Sequence, residues 1–321
     1  MHRILVTGGC GFVGRHLVRR LSENKNNKIT VVDDLSTGLK AEKWPEHLKV
    51  DTPEFIYEDC IDFFKRSKEH FNVVFHLAAI VEGRLTIEGS PLKVARDLII
   101  DASLFRWAIK TRPDKIVYFS SSAAYPIQLQ TREHHVPLAE YMLDVSRGDI
   151  GMPDMSYGWS KLTGEFLSYL AASKYNLDVV IYRPFSGYGE DQDFSYPFPA
   201  IIRRILKSKG EPINVWGSGE QSRDFIYIED VVSCVLQTYE KMSGAEALNI
   251  GTGKRTTFID LTMQACEIIG KKANINLLKD KPEGVFARYC DPKKQRELGF
   301  SPKYSLSAGI KIVAEYIAKH I

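Results

Sequence analysis

Short apolar runs rich in β-branched residues alternate with segments of helical period along the first 183 residues. The runs are Ile4–Thr7, Ile29–Asp33, Phe55–Glu58, Val73–Leu77, Ile116–Ser120 and Val179–Arg183. Between them, the recurrence of apolar positions predicts helices over Phe12–Asn24, Asp62–Glu69, Pro91–Lys110 and Ser156–Tyr175. Strands that are apolar on both faces and alternate with helices predict an α/β fold, a doubly wound parallel sheet covered on both sides. Two segments interrupt the alternation: the acidic loop after Asp34 and the long stretch 126–155.

Past Arg183 the texture changes. Pro, Gly and aromatic residues crowd Pro184–Gly219, as expected of loops that wrap a ligand. A strand and helix return over Phe225–Tyr239, followed by a strand at Ala247–Gly251 and a helix near Ile259–Ile269. The expected organisation is a cofactor domain of residues 1–183, rejoined by about 224–252, and a smaller C-terminal α/β domain of residues 184–223 and 253–321 that binds substrate.

Composition narrows the function classes. With 44% hydrophobic and 26% charged residues the chain reads as soluble and globular, and a net charge of +3 is too mild to imply nucleic acid or a membrane surface. The basic stretch Arg203-Arg204-Ile205-Leu206-Lys207 reads as the wet side of a surface helix. None of Cys10, Cys60, Cys234, Cys266 and Cys290 forms a CxxC pair or has histidine at metal-ligand spacing, and His134-His135 reads as polar loop, so no metal is expected. The first strand begins without a charged-then-apolar leader, and no apolar run is long enough to span a bilayer. A reducing, cytoplasmic setting is the expectation.

Strand one runs into Thr7-Gly8-Gly9-Cys10-Gly11-Phe12-Val13-Gly14, with Gly8, Gly11 and Gly14 spaced GxxGxxG. Such glycines allow a tight turn, close backbone approach to a pyrophosphate and close packing of the following helix. The phosphates then lie at a helix N-terminus, where unpaired N–H groups favour negative charge. Asp33 ends strand two, where a carboxylate accepts hydrogen bonds from the adenosine ribose; Asp34 would repel a 2′-phosphate, favouring NAD over NADP. Asp59, beyond strand three, is either an adenine contact or a surface-turn acid, and Cys60 follows it.

Tyr157 and Lys161 stand at i and i+4 on one helix face. A fixed cation favours the phenolate and would draw tyrosine, ordinarily near pKa ~10, toward working pH. Such pairs are also common on exposed helices. The run Ser120-Ser121-Ser122 at the end of strand five gives the pair its context, because ligands of open α/β sheets bind outside the carboxyl ends of the strands. A serine there can hydrogen-bond the sugar hydroxyl that a tyrosinate deprotonates.

Together, TGGCGFVG, Asp33, His76-Leu77-Ala78-Ala79, the serine run and YGWSK resemble the extended short-chain dehydrogenase/reductase family, in its UDP-galactose 4-epimerase-like branch of nucleotide-sugar enzymes with a Rossmann-type sheet. The resemblance continues in order through Arg183–Gly189, Trp216–Gly219, Arg223–Asp230 and Asn249–Gly253. It implies that Lys161 also binds the nicotinamide ribose, that Ser121 (with Ser122 the alternative) partners Tyr157, and that Leu77, Ala78, Ala79, Ser120 and Pro184 line the cofactor. It further implies that Arg223 holds the sugar-nucleotide diphosphate, with Ser186 and Arg288 as further substrate contacts, and that the chain pairs as a homodimer through the helices near Pro91–Lys110 and Ser156–Tyr175.

The departures from the family pattern narrow the reaction. Dehydratases and decarboxylases of the family carry an acid just after the catalytic Ser/Thr; here those positions hold Ser122 and Ala123. Tyr125-Pro126 and Pro282-Glu283-Gly284-Val285 resemble the GDP-mannose 3,5-epimerases, but their catalytic cysteine is replaced by Ala123. The family's usual Asn is Ser186, and 128–155 is longer than in most relatives, shaping or covering the sugar pocket. The expected reaction is 4-epimerisation of a nucleotide sugar through a 4-keto intermediate, UDP favoured and GDP open. The alternatives are a dehydrogenase, reductase or 4,6-dehydratase that releases a keto sugar, and a non-catalytic NAD-binding protein.

Overall fold

The computed structural model describes residues 1–81, 89–148 and 150–321. Seven parallel strands form the central sheet, in the order β11-β6-β5-β4-β1-β2-β3. They are β1 (His2–Thr7), β2 (Asn27–Val32), β3 (Glu54–Ile56), β4 (Val73–His76), β5 (Lys115–Phe119), β6 (Val179–Pro184) and β11 (Glu246–Ile250). Their central residues, among them Leu5, Val6, Val74, Phe75, Val117, Val179 and Val180, are buried on both faces, which is why the strands read as continuous apolar runs. Strand order reverses between β1 and β4, and such a crevice is where open α/β sheets bind ligands.

The helices of the first half are α1 (Phe12–Leu21), α2 (Cys60–Arg66), α3 (Arg96–Thr111) and α4 (Met155–Tyr175). The expected start of α3 at Pro91 is too early, since turns occupy the residues up to Ala95. Proline there supplies no N–H to a preceding helical turn and fits only near a helix start. α4 matches its expected span within a residue and ends at Asn176, in the left-handed conformation that closes a helix.

The second half contributes β7 (Ser186–Tyr188), α5 (Pro197–Lys207), β8 (Ile213–Trp216), β9 (Ser222–Arg223), β10 (Phe225–Tyr227) and α6 (Ile228–Thr238). After β11 follow β12 (Thr256–Thr257), α7 (Phe258–Ile269), β13 (Ile275–Leu278), β14 (Ala287–Arg288), α8 (Lys293–Glu297) and α9 (Leu306–His320). One hydrophobic cluster runs without interruption from the sheet (Val6, Ile29, Phe75) into this half (Phe198, Ile202, Val232, Leu261, Ile310). Apolar burial on this scale dominates the favourable side of folding, and it fixes the substrate-side elements to the sheet.

The 126–155 stretch forms a strap rather than a further β–α unit. Leu138 bridges Cys290, with its N–H donating to Tyr289 O at 2.9 Å. Arg183 donates to Glu140 O at 3.1 Å and Leu143 O at 2.8 Å, and Asn249 Nδ2 to Leu138 O at 2.8 Å. Tyr125, Leu138, Leu143, Leu162, Phe185 and Cys290 close a small core beneath it. All five cysteines are free and buried, and among the described residues no helix is long and apolar enough to cross a membrane.

Candidate active site

The glycine loop folds between β1 and α1. Gly8 has φ +71°, and a Cβ there would stand 2.5 Å from Ala78 N, so only glycine lets this turn lie against the loop after β4. Gly14 packs on the backbone of Gly8 and Gly9. Helix α1 starts at Phe12 behind Gly11, whose extended backbone offers no side-chain cap, and its first turn holds no acid. Its leading N–H groups, with those of Phe12 and Val13, therefore face outward as donors for an anion. The chain thus fits a dinucleotide pyrophosphate at this point.

Asp33 lies at the end of β2, buried, with Oδ2 accepting from Cys10 N at 2.9 Å and Oδ1 from Leu35 N at 2.8 Å. Each carboxylate oxygen keeps a second lone pair for a ribose hydroxyl. Burial holds its carboxyl above the usual range, against the lowering by those two N–H groups. Asp34 is exposed and closes a turn by accepting from Ser36 N. Asp59 caps α2 by accepting from Ile61 N at 2.9 Å and pairs with Arg96, and Cys60 is buried as the first residue of that helix. The acid at 59 thus has a structural role in the fold. Leu77, Ala78, Ala79 and Pro184 are half-buried at the carboxyl ends of β4, which lies beside the glycine loop's strand, and of β6.

Tyr157 sits in the first turn of α4. The helix begins at Met155 with φ +58°, a strained conformation for a side-chain-bearing residue, held by Asp154 N donating to Ala123 O at 2.9 Å. Gly158 brings the serine turn close: a Cβ there would stand 2.4 Å from Ala123 O. These contacts bring Ser121 to Tyr157, close enough to favour the phenolate. Ser121 caps the turn Ser122–Ala124 and stays half-buried, whereas Ser122 is buried within it. Ser120 points away, donating to Glu165 at 2.5 Å.

Lys161 is 4% exposed, so nearly all its charge faces protein. Nζ donates to Phe119 O at 3.1 Å and lies 5.8 Å from the Tyr157 ring centre and 5.6 Å from that of Tyr118. Burial pushes the Tyr157 phenol up, and Lys161 and Ser121 offset only part of that, leaving it above the ordinary tyrosine value. The expected lowering by Lys161 is present, but desolvation outweighs it. Burial lowers Lys161 in turn, yet Tyr157, Asp101 and Asp97 return it above its ordinary value.

Three buried carboxylates behind this pair were not among the expected site residues. Asp101 accepts from Tyr118 OH at 2.7 Å and from His76 Nε2 at 3.2 Å, while the other ring nitrogen of His76 lies 2.7 Å from Thr7 Oγ1. Glu165 forms a two-pronged pair with Arg183, at 2.9 and 2.7 Å. Asp97 accepts from Ile80 N at 2.6 Å. Spacing carried signals for them: Glu165 continues the i, i+4, i+8 row of Tyr157 and Lys161, and Asp97 and Asp101 repeat at i, i+4 within an apolar helix.

On the substrate side, Arg223 Nη1 donates to Ser222 O at 2.8 Å and Val285 O at 2.9 Å. Arg288 is held by Gln130 Oε1 at 2.6 Å and Asp154 Oδ2 at 2.8 Å, which ties β14 and the strap to the start of α4. Ser186 is half-buried in β7, its N–H donating to Asp224 O at 3.0 Å. Among the described residues no group of three or more His, Cys, Asp or Glu is arranged to hold a metal ion.

The NAD dependent epimerase/dehydratase family matches the chain over residues 4–251. A protein of Methanocaldococcus jannaschii, whose name gives it provisionally as a UDP-glucose 4-epimerase, is 32% identical over 98% of both chains. The solved structure of Thermotoga maritima UDP-glucose 4-epimerase with UDP-glucose superposes with a TM-score of 0.83 at 30% identity, covering 99% of each chain. A mutant Bacillus cereus UDP-glucuronic acid 4-epimerase, in complex with a fluorinated UDP-sugar and NAD, gives 0.83 at 27% identity, over 99% of this chain and 100% of that one.

Proposed function

The chain belongs to the NAD-dependent epimerase/dehydratase family, and from that premise we propose that it is a 4-epimerase of nucleotide sugars, UDP-sugars foremost. The observation that carries this reading is a Tyr157–Lys161–Ser121 set whose serine turn bears Ser122 and Ala123, neither an acid nor a thiol. Abstracting a proton from carbon, or driving out the C6 hydroxyl, needs such a group. Moving the proton of a hydroxyl does not. The names of the similar proteins, UDP-glucose and UDP-glucuronic acid 4-epimerases, support the same chemistry.

Bound NAD⁺ supplies a hydride acceptor and donor and, at the nicotinamide, a positive charge. The N-terminus of α1 and the glycine loop hold its diphosphate, Asp33 its adenosine ribose, and Lys161 its nicotinamide ribose. Tyr157 takes the C4 hydroxyl proton as the C4–H bond breaks and returns it when the 4-keto sugar, turned over in the pocket, is reduced on its other face. Ser121 holds the same oxygen. Arg223 faces the sugar-nucleotide diphosphate, while Arg288 fixes the strap and the start of α4 around it. General acid–base transfer of this kind contributes about 10²–10⁴-fold.

A homodimer through α3 and α4 belongs to this reading. It is supported by the exposed apolar residues Ile99, Trp159 and Phe166, the last two seven positions apart on one helix face. On that assignment Phe166→Asp gives a monomer in light scattering; an unchanged mass would refute it. The activity test is an NMR screen of UDP- and GDP-sugars with sub-stoichiometric NAD⁺. Interconversion of C4 epimers without net redox is expected. Steady build-up of NADH or a keto sugar would favour the dehydrogenase or dehydratase alternatives instead.

A further inference from the structure

Behind the reacting pair, the Asp97 carboxyl is 1% exposed. Its Oδ1 accepts from Ile80 N, and its Oδ2 lies 3.2 Å from Ser160 Oγ. The same hydroxyl lies 2.9 Å from the carbonyl oxygen of Tyr157. A serine hydroxyl carries one hydrogen, and a carbonyl can only accept. The single hydrogen of Ser160 is divided between Asp97 and Tyr157 O, so it serves the carboxylate only in part.

The charge count points the same way. Of the two buried cations here, Arg183 is committed to Glu165. Among the described residues, Lys161 faces Asp97 and Asp101 from α3 together with the Tyr157 phenol from its own helix. Asp101 already accepts from His76 on β4 and Tyr118 on β5, so it is the better-served anion. Two carboxylates and a phenolate opposite one ammonium would leave buried negative charge uncompensated. Burial pushes the Asp97 carboxyl up to about 6, outweighing Lys161, the Ile80 N–H and the Ser160 hydroxyl.

We propose that Asp97 is a positioning residue whose ionisation behind the Tyr157–Lys161 pair raises the pH at which Tyr157 becomes the base. The role rests on Tyr157 being that base. With Asp97 neutral, the phenol would face Lys161 and, among the described residues, one competing carboxylate, Asp101. When Asp97 ionises, a second negative charge faces the phenol and its proton is held more tightly. The two protons are thus coupled and leave in two separate steps.

The test compares Asp97→Asn with the unmodified chain, both NAD-loaded and full length. Asparagine keeps the acceptor for Ile80 N, gives Ser160 a donor and mimics the protonated acid permanently. Tyrosinate absorbance, differenced against the matching Tyr157→Phe proteins, isolates the Tyr157 transition; it should move down by about one pH unit in Asp97→Asn. An unmoved or raised transition overturns the proposal. If Asp97→Asn does not fold, ¹³C NMR of aspartate carboxyls in the unmodified chain decides it. A carboxyl titrating near 6 and absent from Asp97→Glu is expected; none above the ordinary range refutes it. Neither readout needs turnover. A shifted phenol in a protein without 4-epimerase activity would retain this role and defeat the proposed function, and active enzyme with an unmoved phenol would do the reverse.

Discussion

Two buried charge clusters flank the cofactor cleft, and they are built on opposite principles. At the joint between α1, α6 and the turn after β7, Asp191 pairs with Arg15 and with His16 Nε2 at 2.9 Å, while His16 Nδ1 meets Glu229 at 3.1 Å. Each acid there has its own cation. Burial alone would raise Asp191, but His16 and Arg15 hold it below its usual range; the His16 bond does the same for Glu229. Behind Tyr157, Asp97 and Asp101 share Lys161 among the described residues, and Asp97 moves the other way, to about 6. Equal burial with different partners separates a brace from an acid that titrates. The brace fixes the helix that would carry the pyrophosphate, and the titrating acid stands behind Tyr157, the proposed base.

The comparison can be broken in three places. Tyr157→Phe removes the group that the second cluster serves, and should cut turnover by about 10³-fold with the fold intact. Retention of most activity would remove the cluster's catalytic meaning. Asp191→Asn strips the carboxylate from Arg15 and His16, and should cost about 3 kcal/mol in denaturant unfolding at neutral pH. Because the Asp191 pKa is depressed, its contribution is present above the unfolded carboxyl value and disappears as pH falls through the folded one. The deficit should therefore shrink in acid. Asp97→Asn should show the opposite sign. Its folded pKa is raised, so the unmodified chain loses stability as pH rises from about 4 through about 6. The variant should match it in acid and exceed it by about 3 kcal/mol above that window. Equal pH dependence for the two variants would erase the distinction.

Much of the scaffold was legible because the signals are local. Paired apolar runs mark the strands, Gly8 and Gly14 sit where a Cβ would collide, and Asp33 closes β2. Tyr157 and Lys161 were visible as one helix face. What escaped depends on tertiary neighbours. Nothing local says that Asp97 and Asp101 are buried, that Arg288 is held by the strap's Gln130 and by Asp154, or that Ser120 turns toward Glu165. The start of α3 was misplaced for a milder reason: the turns after Ser90 carry apolar residues at helical spacing without forming a helix.

In the proposed reaction Tyr157 serves reversible redox at C4 without exchange of that hydrogen. This is tested most directly by giving the NAD-loaded enzyme a UDP-sugar deuterated at C4 in ordinary water and following the carbon by NMR. Inversion at C4 with the deuterium retained is the predicted result. Loss of the label during inversion, or deuterium leaving C4 with a keto sugar accumulating, would contradict it.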